Sequence, residues 1–313
     1  MPLVFPQERA YYGQMSQNVP KTLMLFIDGL GIGPRHPEIN PVHGGTCPRL
    51  ERLLDECARS VDATLDVAGM PQSATGQAAM LTGVNAAEHM GRHVEGCPGP
   101  TLRKVVREHN LYDRLIERGY QATFANAYYV DDLDQVFQLR RQSVSTVAAL
   151  KAFGTVRTAR DLEANRAVYQ DLTRRALRHR GYEGPLISPG TAAEHLADVA
   201  GGNDFTLFEY FQTDLMAHRG TEDDVRRVLA DLDELLGTLL PLWSRPGHLF
   251  VLLSDHGNVE DLRTRGHTDN PVPLVAIGQG ADHLFAHVHR LTDFTPALLD
   301  LYPSKGEDHE GRT

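Results

Sequence analysis

A mainly parallel sheet between layers of helices is the fold class the sequence predicts, and three observations predict it. Short β-rich runs alternate with stretches of helical spacing along most of the 313 residues, as in chains built from βαβ units. Three of the strand candidates end in, or soon reach, an aspartate, at Asp28, Asp214 and Asp255. Hydrophobic residues make up 41% of the chain, enough to cover both faces of such a sheet without help from disulfides.

Taken in order, Thr22-Leu-Met-Leu-Phe-Ile27 is apolar nearly throughout and halts at Asp28-Gly29, as a buried strand does. Leu50, Leu53, Leu54 and Cys57 fall on one face of a helix over 50–59. The small, hydroxyl-rich stretch from Met70 leads into a short helix over 77–81. Residues 101–119 read as one or two helices that run into a strand over 121–125, and a further strand covers 205–211. Thr221-Glu-Asp-Asp224 has the pattern of a capping box, opening a long helix to Leu240 that stops near Pro241. Strands over 248–254 and 272–277 follow. Between 131 and 200 the composition shifts towards arginine, with helices expected over 144–153 and 159–180. That stretch is expected as a small insertion over a catalytic core formed by 21–130 and 201–302. Residues 1–20 read as a polar leader and 303–313 as a polar, frayed tail.

Charge and composition exclude several functions. With 31 basic and 41 acidic residues the net charge is -10, which argues against a nucleic-acid partner. No apolar run approaches the roughly 20 residues of a membrane span. The first twenty residues lack the basic start and apolar stretch of a secretory signal. Cys47, Cys57 and Cys97 are odd in number and form no CxxC pair, which points to a reducing compartment and away from a thiolate zinc site. A cytoplasmic protein is expected.

The chemistry sits at the strand ends, where ligands of open α/β sheets bind. A lone aspartate there is usually a turn residue, but here histidines accompany two of the three. Asp214 and His218 are four apart, so on a helix they share one face and can share one metal. Asp255-His256 leaves the 248–254 strand, and His267 precedes the next. Ser73, near the start of a short helix, is placed where backbone N–H groups and the helix dipole favour a phosphate. Serine needs a base or a metal to become a nucleophile, and with no Ser-His-Asp order or GxSxG turn, metal activation is left. Gly29, Gly31 and Gly33 are spaced GxGxG, a poor dinucleotide fingerprint, and read instead as close backbone approach to a metal site.

These motifs resemble those of the alkaline phosphatase superfamily, nearest the cofactor-independent phosphoglycerate mutase and phosphopentomutase branch. Phe26-Ile-Asp-Gly-Leu-Gly31, Gln72-Ser-Ala-Thr-Gly-Gln77, Thr213-Asp-Leu-Met-Ala-His218, Ser254-Asp-His-Gly-Asn258 and Gly266-His-Thr-Asp-Asn-Pro-Val-Pro273 stand in the family's order, spread over about 21–132 and 203–278. Thr82-Gly83 and His89 also echo the nucleotide pyrophosphatase branch. The resemblance implies an alkaline-phosphatase-like core with a small inserted cap and Ser73, not Thr75, as nucleophile. It further implies two divalent cations, manganese or zinc, one held by Asp28, Ser73, Asp255 and His256 and the other by Asp214, His218 and His267. Two departures stand out. Gln77 replaces a histidine common in the mutases, and the insertion is much smaller than theirs.

The expected activity is phosphoryl transfer from a small phosphorylated metabolite. A mutase must shield its phosphoserine from water, so the small cover favours a phosphate monoester hydrolase, with a phosphomutase as the alternative. A non-catalytic metal-binding protein would have lost a ligand or the nucleophile, and none is missing. For the substrate, Arg92, His93, Arg140 and Arg141 are candidate contacts, with Lys151, Arg157 and the run Asn126-Ala-Tyr-Tyr129 as further possibilities.

Overall fold

Strand β1 (Lys21–Ile27) organises the molecule, because its side chains alternate between two separate apolar cores. The computed structural model describes residues 19–305, so nearly all of the expected leader and most of the expected tail lie outside the described residues. After β1 come α1 (Pro48–Glu56), β2 (Arg59–Val61), α2 (Ser73–Thr82), α3 (Ala86–Met90), α4 (Pro100–His109), α5 (Leu111–Glu117) and β3 (Ala122–Phe124). Helices α6 (Leu133–Phe137), α7 (Val144–Phe153), α8 (Ala159–Glu163) and α9 (Pro189–Gly201) precede β4 (Phe205–Tyr210). The chain closes with α10 (Gln212–Arg219), α11 (Glu222–Trp243), β5 (His248–Ser254), β6 (Val272–Gly278), α12 (Ala281–His287) and α13 (Leu291–Asp300).

The strands lie in the order β2-β6-β5-β1-β4-β3. β5, β1, β4 and β3 are parallel, while β6 runs antiparallel to both of its neighbours. The sheet is therefore mixed but mainly parallel, as expected. Leu23, Leu25 and Ile27 pack with α1, α9 and α11, whereas Met24 and Phe26 pack with α2, α4, α7 and α13. This alternation is the strand period of two applied to a sheet covered on both faces. Register then places the chemistry. Ile27 pairs with Ser254 on one side and Tyr210 on the other, so Asp28 and Asp255 leave the sheet side by side.

Four details differ from the sequence reading. The first helix ends at Glu56, and Arg59–Val61 is a three-residue edge strand, too short to show periodicity. Helix α2 begins at Ser73 rather than Gln77. Helix α11 keeps its capping box but runs through Pro241 to Trp243. A proline in the last turn costs one hydrogen bond, while Trp243 beyond it is buried and donates its indole N–H to the Leu249 carbonyl at 3.1 Å. Finally, 159–180 is not one helix. After α8 the backbone turns through left-handed Asn165, Leu172 and Arg174 before a 3-10 turn over 175–180. The buried Arg174 guanidinium donates to the Leu162 carbonyl, Asn165 Oδ1 and the Tyr182 hydroxyl, a set of bonds that a straight helix would not allow.

The stretch 131–200 does not pack as one unit. α7 joins one core and α9 the other, leaving a satellite cluster of Leu162, Ala167, Tyr169, Leu177 and Tyr182 packed around Ala127. Main-chain bonds tie this cluster to the exit of β3: Ala127 N–H to the Val168 carbonyl at 2.9 Å, Val168 N–H to that of Ala125 at 2.9 Å, and Tyr128 N–H to that of Arg157 at 2.8 Å.

At the carboxyl edge of the sheet, the loops after β1 and β5 are stapled by a buried carboxylate that sequence inspection did not single out. Glu260 accepts from Gly31 N–H at 2.9 Å, Asn258 N–H at 2.8 Å, Asn270 Nδ2 at 3.0 Å and the Thr268 hydroxyl. Gly31 and Gly33 are needed because a Cβ on either would fall 2.3 Å and 2.7 Å from the Glu260 side chain. Each carboxylate oxygen has two donors, so an amide in either rotamer would set its NH2 against N–H or O–H groups. Glu260→Gln is therefore expected to cost about 3 kcal/mol of stability, measured as a lowered urea midpoint by fluorescence of the single, buried Trp243. An unchanged midpoint would remove the staple from this account.

Candidate metal centre

Three loop entries converge beyond β1, β4 and β5. Asp28 follows β1 directly, Asp255 and His256 follow β5, and Asp214 and His218 lie on α10, one turn apart. His267 arrives from the segment before β6. Gly29 allows the approach: its φ is +73°, and a Cβ there would lie 2.9 Å from the Asp214 Cβ. Gly76 does the same for α2, where a Cβ would lie 2.7 Å from the Asp255 carbonyl oxygen.

Ser73 is the first residue of α2, a helix buried along its whole length. Its Oγ is 3.0 Å from His256 Nε2, while Thr75 Oγ1 is occupied by the main chain, donating to Gln72 O at 3.1 Å and accepting from Val94 N–H at 3.3 Å. Of the two hydroxyls, Ser73 faces the cluster. Asp28, Asp255 and His256 present ligand atoms within 4.8 Å of one another, and so do Asp214, His256 and His267. His218 Nε2 is 2.9 Å from His267 Nε2 and 3.3 Å from Asp214 Oδ1. All seven candidate residues are thus in one place, with His256 between the two groups.

The imidazoles are oriented for ligation. His218 Nδ1 bonds the Arg265 carbonyl at 2.5 Å, His267 Nδ1 that of Pro71 at 2.8 Å, and His256 Nδ1 that of Gly257 at 3.3 Å. A ring that donates from Nδ1 to a carbonyl carries its lone pair on Nε2 in the neutral form. Two such lone pairs 2.9 Å apart, beside a carboxylate, are a poor protein contact and a good cation site. Asp28 Oδ1 is buried and faces only His256 Nε2, at 3.3 Å, which fits the same reading. Gln77 Nε2 spans Asp28 Oδ2 and Asp255 Oδ2 at 3.3 Å each, and Asn258 Nδ2 holds Asp214 Oδ1 at 2.8 Å.

The electrostatics show how strongly the cluster favours positive charge. Burial and then the Asp255 charge push the Asp28 carboxyl up, and burial and the Asp214 charge raise that of Asp255 against the pull of His256. Burial works against a charge on His256, but Asp255, Asp28 and Asp214 outweigh it and hold its proton well above the ordinary 6.5. Asp214 stays ionised, because hydrogen bonding to His267, the His256 charge and the Asn258 amide overcome its burial. Three carboxylates that favour positive charge at His256 would favour a bound cation in the same place.

One cavity of about 490 Å3 reaches Asp28, Ser73, Gln77, Asp214 and His218. Asn126, Ala127, Tyr128 and Tyr129 all line it, as does Arg141. Arg92, His93 and Arg140 do not. Arg92 is exposed, His93 Nε2 bonds the Val67 carbonyl, and Arg140 lies on a separate groove with Arg103 and Arg107. His89 is exposed on α3, Lys151 pairs with Asp113, and Arg157 clamps the Phe124 and Arg166 carbonyls. The sequence reading also missed Glu209, which lines the cavity from β4. Burial, then the Asp28 charge, pushes its carboxyl up to about 8. A lone glutamate in Phe-Thr-Leu-Phe-Glu-Tyr, otherwise a buried strand, was the available signal.

Fold and cluster together define a metal-dependent enzyme of the alkaline-phosphatase-like α/β type. The chain belongs to the metalloenzyme superfamily, whose family model matches residues 20–303. It is 31% identical over 123 residues to the 2,3-bisphosphoglycerate-independent phosphoglycerate mutase of Paracoccus denitrificans, covering 37% of this chain and 24% of the mutase. It is 33% identical over 105 residues to the Acetivibrio thermocellus mutase, covering 31% and 20%. The matches therefore span about a quarter or less of these relatives. Among solved structures, alkaline phosphatase from the Antarctic bacterium TAB5 superposes over 91% of this chain and 98% of its own with a TM-score of 0.54 at 11% identity. A Pyrococcus horikoshii protein does so over 90% and 96%, with a TM-score of 0.55 at 13% identity. The resemblance to the alkaline phosphatase superfamily, on the side of the cofactor-independent mutases, holds. No helix among the described residues is long and apolar enough to cross a membrane.

His256 must lose its proton before Nε2 can ligate. Titrating manganese or zinc into metal-free protein at pH 7 is therefore expected to release about one proton or more per chain. Calorimetry in buffers of different ionisation enthalpy reads this directly, and a heat independent of buffer would contradict it.

Proposed function

We propose that the protein is a two-cation phosphate monoester hydrolase that works through a phosphoserine at Ser73. The observation that carries this reading is the Ser73 hydroxyl at the start of a buried helix, 3.0 Å from His256 Nε2 and open to the cavity. Asp28, Asp255, His256 and Ser73 would hold one cation, and Asp214, His218 and His267 the other. When bound, the two divalent cations, manganese or zinc, supply charge neutralisation and Lewis acidity.

Ser73 Oγ attacks the phosphorus of the ester and loses its proton to cavity water. The bond from phosphorus to the leaving alcohol oxygen breaks, and that oxygen takes up a proton. Water then adds to phosphoserine, the bond from phosphorus to Oγ breaks, and Ser73 regains its proton, so ester and water become alcohol and phosphate. The α2 N-terminus directs its dipole at the transferring group. Gln77 and Asn258 keep the carboxylates in place through the cycle.

Water access favours hydrolysis. Arg141, Arg180 and Arg219 border the cavity and are exposed, so a phosphoserine beneath them meets solvent. The partial identity to phosphoglycerate mutases favours a second reading, in which the phosphoryl group returns to another oxygen of the same substrate. Three unpaired cysteines suit a cytoplasmic setting for either.

Ser73→Ala is expected to lower turnover by at least about a thousandfold while leaving two cations per chain by metal analysis. Wild-type turnover in that variant would remove the nucleophile. Phosphorylated metabolites incubated with the metal-loaded protein should yield free phosphate. Isomerised ester in place of phosphate would install the mutase reading instead.

A further inference from the structure

The part of the cavity beyond Ser73 is built for more than the reacting phosphate. Its volume of about 490 Å3 falls in the range that encloses ring-bearing ligands. Tyr128, Tyr129 and Tyr169 form its wall, and Leu139 stands 42% exposed at its rim. Two of the rings are pre-set. The Tyr128 hydroxyl is bonded to Thr146, and Tyr129 meets Tyr182 edge to face at 5.7 Å. The hydroxyls of Tyr129 and Tyr169 bond no other described residue. Rigid aromatic faces with polar tips suit a planar body that is partly polar.

Charge supplies the second half of the argument. Arg141, Arg180 and Arg219 reach the same cavity from three separate segments: the loop before α7, the 3-10 turn and the end of α10. Among the described residues none of them has a carboxylate within ion-pair distance, whereas Arg35, Arg49, Arg226 and Arg263 all do. Any one unpaired arginine is ordinary solvated surface. Asp28, Glu209 and Asp214 line the inner side of the same cavity, whereas the three arginines are exposed at its outer side. On a protein of net charge -10 they form a positive rim that attracts and orients an anion. With the ester phosphate assigned to Ser73 in the hydrolase reading, the arginines are left for another charge.

Resting on the hydrolase reading above, we infer that the substrate is a phosphate monoester of a ring-bearing alcohol with a second anionic group at its far end. The ring lies against Tyr128, Tyr129 and Tyr169, and the second anion meets Arg141, Arg180 and Arg219. A short phosphorylated acid has no ring to set against the three tyrosines.

The test uses the full metal-loaded chain with phenyl phosphate, phenyl phosphate bearing a carboxymethyl group para to the ester oxygen, and glycerol phosphate. The two aryl leaving groups are of similar acidity, so a difference between them reports the added charge. The carboxymethyl ester is expected to exceed phenyl phosphate in kcat/KM by about tenfold or more, the effect of one charge-assisted contact. In the Arg141→Ala/Arg219→Ala double variant that ratio should fall to about one. Equal values for the two aryl esters in the wild type, or a ratio that the double variant leaves unchanged, overturns the anion contact. Tyr129→Ala and Tyr169→Ala should weaken calorimetric binding of phenyl phosphate to metal-loaded Ser73→Ala protein more than binding of glycerol phosphate, and an equal loss overturns the ring contact. The two aryl esters are compared by Kd in the same Ser73→Ala protein. If neither ester turns over in the wild type, the hydrolase reading alone fails, and the Kd ratio decides the substrate class.

Discussion

Asp28, Asp214 and Asp255 are gathered around one imidazole, and the repulsion among these buried carboxylates is the constraint that the rest of the site answers. Bringing like charges together in a buried cluster is costly. Their mutual repulsion and burial push the Asp28 and Asp255 carboxyls up, and the three carboxylates favour a proton on His256. Bound divalent cations would answer the same repulsion, with the three carboxylates as ionised ligands. Chemistry and stability therefore draw on the same charge balance, and the cluster is a place where folding energy is held against ligand binding.

Holding such a cluster requires stiffness around it, and the sheet supplies that. The parallel register of β5, β1 and β4 ends three strands at one level, so Asp28 and Asp255 need no long excursion to meet. The loops they enter are bound to each other by Val259 N–H to the Gly29 carbonyl at 2.9 Å and by the four donors on Glu260. Nδ1 bonds to carbonyls then fix the rings, so little conformational freedom remains for a cation to remove. Such supporting contacts commonly decide whether a set of ligands binds tightly.

Much of this was legible in the sequence because the informative residues are adjacent along the chain. Asp28-Gly29, Asp214 to His218 and Asp255-His256 each announce themselves at the end of an apolar run, and β5 was read with its observed limits. What escaped notice depends on partners distant in sequence. Glu260 looks like a surface residue after Asn258-Val259 until its donors arrive from Gly31, Thr268 and Asn270. Glu209 is a single acidic residue within a strand. Arg174 replaces a helix with a knot of bonds to Leu162, Asn165 and Tyr182, which no periodicity could foretell. Among the candidate substrate contacts, Arg140 and Arg141 are neighbours in sequence yet only Arg141 turns into the cavity, a distinction set by the backbone just before α7.

The construction of the cover bears on what becomes of a phosphoserine. In a mutase the intermediate must be enclosed, and its partner must turn over within the enclosure before the phosphoryl group returns. That asks for a separate body free to close. Here α7 and α9, which a linear reading assigns to the insertion, are parts of the two helix layers, and only the cluster around Leu162, Tyr169 and Tyr182 is left above the site. That cluster is joined to the exit of β3 by main-chain hydrogen bonds at Ala125, Ala127 and Tyr128, so swinging it would break the ladder that positions the cavity wall. A wall fixed in this way presents a pre-shaped pocket that opens past the exposed Arg141, Arg180 and Arg219. The same fixed wall that would hold a substrate against the tyrosines and arginines makes the cover a poor lid, and that is the ground on which we propose hydrolysis rather than return of the phosphoryl group.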